Sequence, residues 1–148
     1  MASNSTVLGV VLFIRHGDRQ GFYQDPNTYD ASNTVITPLG NAQEVALGAL
    51  LRQRYLNASA SNNVHIQTMD TGLVNDTQIQ IRADAGDEGG VILASAVSLA
   101  QGLWPPTTAY NTTLANGTTV VGPLGGYQYL PSESVIRLGP VWFGDSLI

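Results

Sequence analysis

Val7-Leu8-Gly9-Val10-Val11-Leu12-Phe13-Ile14 runs without a break into Arg15-His16-Gly17-Asp18-Arg19. A short run with no polar residue reads as a central strand covered on both faces. It ends in two arginines flanking a histidine. Guanidiniums this close repel unless an anion sits between them. Arginine presents planar paired donors that match phosphate oxygens. Histidine can act as a neutral nucleophile near physiological pH. Gly17 lets the backbone turn and come close to a ligand. The stretch therefore predicts a phosphate held by Arg15 and Arg19 and attacked by His16. Asp18 is expected to face outward or to orient an arginine.

Outward from this stretch the pattern alternates strand and helix. Thr37 can cap a helix whose first turn holds Pro38. Leu39, Ala42, Ala46, Ala49 and Leu50 recur at three and four residues, which predicts their stripe as the buried face. Val64–Thr68 and Gln78–Arg82 alternate apolar and polar, as half-buried strands do. Asp84–Gly90 reads as an acidic, glycine-rich loop. Val91–Leu103 reads as a mostly apolar helix stopped by Pro105-Pro106. Residues 105–131 form a loop-rich insertion, with a hairpin expected through Asn116-Gly117. The order predicts an α/β fold, a mostly parallel sheet with helices on both faces. Ligands in such sheets bind beyond the carboxyl ends of strands, which is where His16 falls.

Composition narrows the chemistry. The 148 residues carry a net charge of −5, and all six basic residues are arginine. A lysine-free chain has no Walker-type phosphate loop and no Schiff-base lysine. The acidic balance argues against nucleic acid as a partner. With no cysteine there are no disulfides, thiolate metal sites or cysteine nucleophiles. Two histidines and no ligand spacing give no metal site, and no cofactor is expected. The longest apolar run is too short to span a bilayer.

Five glycosylation sequons begin at Asn4, Asn57, Asn75, Asn111 and Asn116. Composition alone gives about 1.6. The excess points to a secreted or secretory-pathway glycoprotein. No basic segment precedes the apolar run, so any leader would lie outside this sequence.

The Arg15-His16-Gly17-Asp18-Arg19 stretch resembles the signature of the histidine phosphatase superfamily, in its histidine acid phosphatase branch. A fungal phosphoglycerate mutase-like subset is most similar. Ile36-Thr37-Pro38-Leu39-Gly40-Asn41-Ala42-Gln43 resembles that family's Leu-Thr-x-x-Gly-x-x-Gln helix start. Ser95-Ala96 followed by Gly102-Leu103-Trp104-Pro105-Pro106 resembles its Ser-Ala helix ending in Gly-Leu-Phe-Pro. The resemblance implies a phosphoglycerate mutase-like fold, of which residues 1–148 would be the N-terminal portion of a single, truncated domain. It implies phosphomonoester hydrolysis through a phosphohistidine on His16, with Arg15 and Arg19 on the phosphoryl oxygens.

The chain departs from the family at three points. Gly21 stands where the branch has Pro. The family's third phosphate-binding Arg belongs in the loop 84–90, which here holds none, so Arg82 is the candidate stand-in. The family's later His beside an acid has no counterpart, and His65 reads as a strand or surface residue. Hydrolysis is accordingly expected to be impaired. The alternatives are a non-catalytic secreted glycoprotein that retains an anion- or phosphate-binding pocket, and a phosphoglycerate mutase-type phosphotransferase. The expected ligand is a phosphomonoester or inorganic phosphate. An uncovered sheet edge is expected to drive self-association.

Overall fold

The computed structural model describes residues 6–21, 25–28, 34–59, 64–84 and 90–135. Two helices form its centre. Helix α1 spans Pro38–Leu51. The Thr37 side chain accepts from the Gly40 amide at 3.1 Å, and Pro38 occupies the first turn. That satisfies one of the amides a helix start leaves unpaired. A π-helical turn, Arg52–Leu56, follows directly. Helix α2 spans Val91–Leu103, and its cap residue Trp104 bonds back to Ala100.

The face that α1 buries is not the expected stripe. Leu39, Ala42, Ala46, Ala49 and Leu50 are all exposed, and the buried residues are Gly40, Glu44 and Gly48. The reason is backbone contact between the helices. A Cβ on Gly48 would collide with the Leu99 carbonyl oxygen, and one on Gly102 with the Val45 carbonyl oxygen. Two glycine faces bring the helices closer than leucines could. Apolar periodicity misses this face because glycine contributes nothing to it. Arg52 then ties the far end, donating to the carbonyls of Leu103 and Thr71, each at 2.8 Å.

Helices and a small parallel sheet make this an α/β structure. Strand β1 (Ile81–Asp84) pairs in parallel with β4 (Ser132–Val135), with Arg82 opposite Glu133. Strands β2 (Asn111–Thr113) and β3 (Thr119–Val121) form an antiparallel hairpin within the insertion. Its loop closes with Gly117 donating to Leu114 and Leu114 donating to Thr118. Gly117 takes φ 84° there, the left-handed conformation that glycine adopts without strain. The single turn α3 (Pro123–Gly126) follows. The amide of buried Gln128 fastens the insertion, donating to Pro105 and accepting from Val74.

The expected strand 7–14 is corrected by the structure. Among the described residues, only Val7 of this run makes a ladder contact, a parallel bridge to Ile66. Val11 and Phe13 are 81% and 97% exposed, against 41% and 38% for Leu12 and Ile14. Leu8 is 81% exposed as well, so most of the segment lies open. A strand covered on both faces needs paired edges and two layers, and the described residues supply one bridge and one helical layer. The expected strand 64–68 is likewise reduced to Ile66, because the chain turns at Gln67-Thr68. The strand placed at 78–82 lies at Ile81–Asp84, in register with β4. The expectations for residues 85–89 and 136–148 lie outside the described residues.

Candidate functional site

Three separated stretches of sequence meet at Gly17. The buried Gly17 amide donates to Ser95 Oγ at 3.1 Å, and Ser95 in turn donates to the Val91 carbonyl at 2.7 Å. The Asp18 amide donates to Gln43 Oε1 at 2.9 Å. The Thr37 amide donates to the Asp18 carbonyl at 3.0 Å, and its hydroxyl donates to the Asp18 carboxylate. A Cβ on Gly17 would lie 2.6 Å from the Gly40 carbonyl oxygen, so both glycines are required by the close approach. Asp18 itself is exposed, as expected, and its carboxylate serves the start of α1.

These contacts hold His16 from behind. Its Nδ1 lies 2.7 Å from the Gly17 carbonyl oxygen. A carbonyl can only accept, so Nδ1 carries the proton and the lone pair of the neutral ring belongs to Nε2. The imidazole is half-buried. Arg15 is exposed, and Arg19 is half-buried with its backbone bridged to Ile36.

A cavity of about 700 Å³ opens beside this turn. Arg15, His16, Glu44, Arg82 and Ser95 all contribute to its wall, whereas Arg19 does not. Glu44 is 4% exposed, and its Oε2 has no hydrogen-bond partner among the described residues. Burial pushes its carboxyl above the ordinary carboxylate range, and the charge of His16 partly opposes that. The sequence reading missed Glu44. The signal was its spacing of four from both Gly40 and Gly48, which puts it on the buried row of α1.

Arg82 reaches the same cavity, with its Nε 3.1 Å from Glu133 Oε2. Both side chains of that pair are more than half exposed, so it contributes little to stability. His65 is half-buried, with Nε2 2.8 Å from the Gln67 amide nitrogen. Among the described residues, no group of three histidines or carboxylates could hold a metal. No helix among them is long and apolar enough to cross a membrane. Asn57, Asn111 and Asn116 are exposed, and Asn75 is half-buried with its amide on Asp70. Asn4 lies outside the described residues. No protein-family model matches the chain, and no curated protein matches it.

Proposed function

We propose that the chain is a phosphomonoesterase of the histidine phosphatase type, with a phosphoglycerate mutase-like fold. The observation that carries this reading is the His16 Nδ1 contact to the Gly17 carbonyl. It gives Nε2 the electron pair that attacks phosphorus. A P–N bond forms as the ester P–O bond breaks, and the leaving oxygen takes a proton from solvent water. Water then attacks phosphorus, the P–N bond breaks, and imidazole and inorganic phosphate are regenerated. Arg15, on the cavity wall with His16, binds the phosphoryl oxygens and stabilises the charge spread over them, whereas Arg19 lies off that wall. Arg82 is the further arginine on the cavity wall, where it is paired with Glu133.

The meeting of three motifs around Gly17 supports this reading. The motifs lie apart in the sequence, and the two on α1 and α2 each supply a contact to the turn that the first one forms. The sequons support a secretory route for the protein. The Arg82–Glu133 pair favours the second reading, a glycoprotein that binds phosphate without turnover, since Arg82 is already engaged.

Phosphate release from an aryl phosphate at mildly acid pH distinguishes the two. The wild type should release phosphate and His16→Ala should fall to background. Equal background rates in both, with inorganic phosphate still bound by the wild type, would establish the binder and remove the hydrolase.

A further inference from the structure

An aryl leaving group departs as a stable anion, so solvent water suffices as its proton source. An alkoxide is far more basic. Its departure needs a positioned acid, which typically contributes a factor of about 10²–10⁴. The cavity that His16 lines holds few groups able to supply that proton. Arg15 and Arg82 stay charged and give up no proton. His16 is committed to attack on phosphorus. Gln67, Gln78 and Gln80 are neutral amides. Tyr55 reaches the cavity, but a phenol is a much weaker acid than a carboxyl. Glu44 is the remaining acid on the wall.

The fold holds Glu44 in place beside the turn. It lies one turn along α1 from Gly40, whose carbonyl abuts Gly17. The residue is 4% exposed, yet its Oε2 has no hydrogen-bond partner among the described residues. Buried polar atoms are ordinarily paired, so an orphan oxygen on a cavity wall suits a partner inside the cavity. Burial makes the carboxyl hold its proton above the ordinary range, and the charge of His16 partly opposes this. Arg15 and Arg82 are the other cations on the wall, and Arg82 is paired with Glu133. Helix α2, packed against this face of α1, has no titratable side chain. A protonated carboxyl is a neutral donor and does not repel a phosphate.

We propose that Glu44 is a catalytic residue, the acid that protonates the leaving oxygen of alkyl phosphate monoesters. As the ester P–O bond breaks, the Glu44 proton passes to the alkoxide oxygen, leaving an alcohol and a carboxylate. When water attacks the phosphohistidine, the carboxylate takes the water proton and the acid is restored. This rests on the phosphohistidine route proposed above.

Hydrolysis of ethyl phosphate and para-nitrophenyl phosphate by the wild type and Glu44→Gln tests it. Glutamine keeps the shape and loses the acid proton. The value of kcat/KM reports the step in which the ester bond breaks. Its loss in the variant should be greater on ethyl phosphate than on para-nitrophenyl phosphate by a factor of about 10² or more. In the wild type, the ratio of ethyl to nitrophenyl kcat/KM should fall as pH rises through the raised Glu44 value. In the variant that ratio should not vary with pH. Equal losses on the two esters would overturn the proposal, as a structural or binding role would produce them. An unchanged rate on ethyl phosphate would overturn it too. If Glu44→Gln does not fold, a wild-type ratio that is constant with pH overturns it. Nitrophenyl hydrolysis by the wild type with no ethyl hydrolysis removes this proposal and keeps the hydrolase. Hydrolysis of neither ester removes both.

Discussion

Residues 38–51 and 91–103 are locked together backbone to backbone, whereas residues 8–14 carry more apolar surface and leave much of it open. The helix pair buries Gly40, Gly48 and Gly102 and fixes Gly17 through Ser95. The segment before His16 turns Phe13 and Val11 to water. Close packing in this molecule is therefore set by shape and hydrogen bonds where two helices meet. Hydrophobicity alone has not closed the segment beside them. The rigid part positions the histidine, and the open part borders the cavity that the histidine faces.

The largest effect should come from filling the glycine contact. Gly102→Val places a branched side chain against the Val45 carbonyl and the backbone of Gly48 and Ala49. Overpacking of this kind costs about 3 kcal/mol. Chemical denaturation should show that loss, or a chain with no cooperative transition. A wild-type-like midpoint would mean that the helices are not in backbone contact.

Ser95→Ala should rank next. It leaves the Gly17 amide buried without its acceptor, at a cost of about 1–3 kcal/mol. Exchange of the Gly17 amide proton should also speed up in the variant. Unchanged exchange would detach Ser95 from the turn that carries His16.

Glu44→Gln tests the buried carboxyl through pH. The folded state holds the Glu44 proton above the ordinary value of 4.5. The wild type therefore loses stability as pH rises from 4.5 toward the raised folded value. The glutamine variant lacks that loss. It should melt higher than the wild type at neutral pH, and the difference should vanish well below 4.5. A constant difference across the range would show that Glu44 is solvated.

Phe13→Asp should have the smallest effect on folding, within about 0.5 kcal/mol, because the ring is 97% exposed. It should reduce self-association in sedimentation if the outer face of residues 8–14 joins copies of the chain. Strengthened association in the variant would exclude that face.

Much of the local structure was legible from sequence. Thr37 and Pro38 mark the start of α1, Pro105-Pro106 closes off α2, and Asn116-Gly117 marks the hairpin. Each is a short-range backbone preference and needs no distant partner. The buried face of α1 was not legible, because glycine gives no hydropathy signal and its packing partner lies more than fifty residues away. Residues 8–14 show the opposite failure. Their apolarity records a demand for two covering layers, and only a three-dimensional account shows one of them present. At the site, the sequence groups Arg15, His16 and Arg19, and the structure puts Arg15 and His16 on one cavity wall with Arg19 off it. Ser95 belongs to the Ser-Ala motif in the sequence, and its grip on Gly17 is visible only in the fold.

A phosphorylated His16 is the species on which the account depends. The protein should be mixed with an aryl phosphate, quenched with alkali within seconds, and digested for mass spectrometry. A phosphate on the His16 peptide that is stable to alkali, lost in acid and missing from His16→Ala is the predicted result. Phosphate release by the wild type with no label on that peptide at any quench time would contradict it.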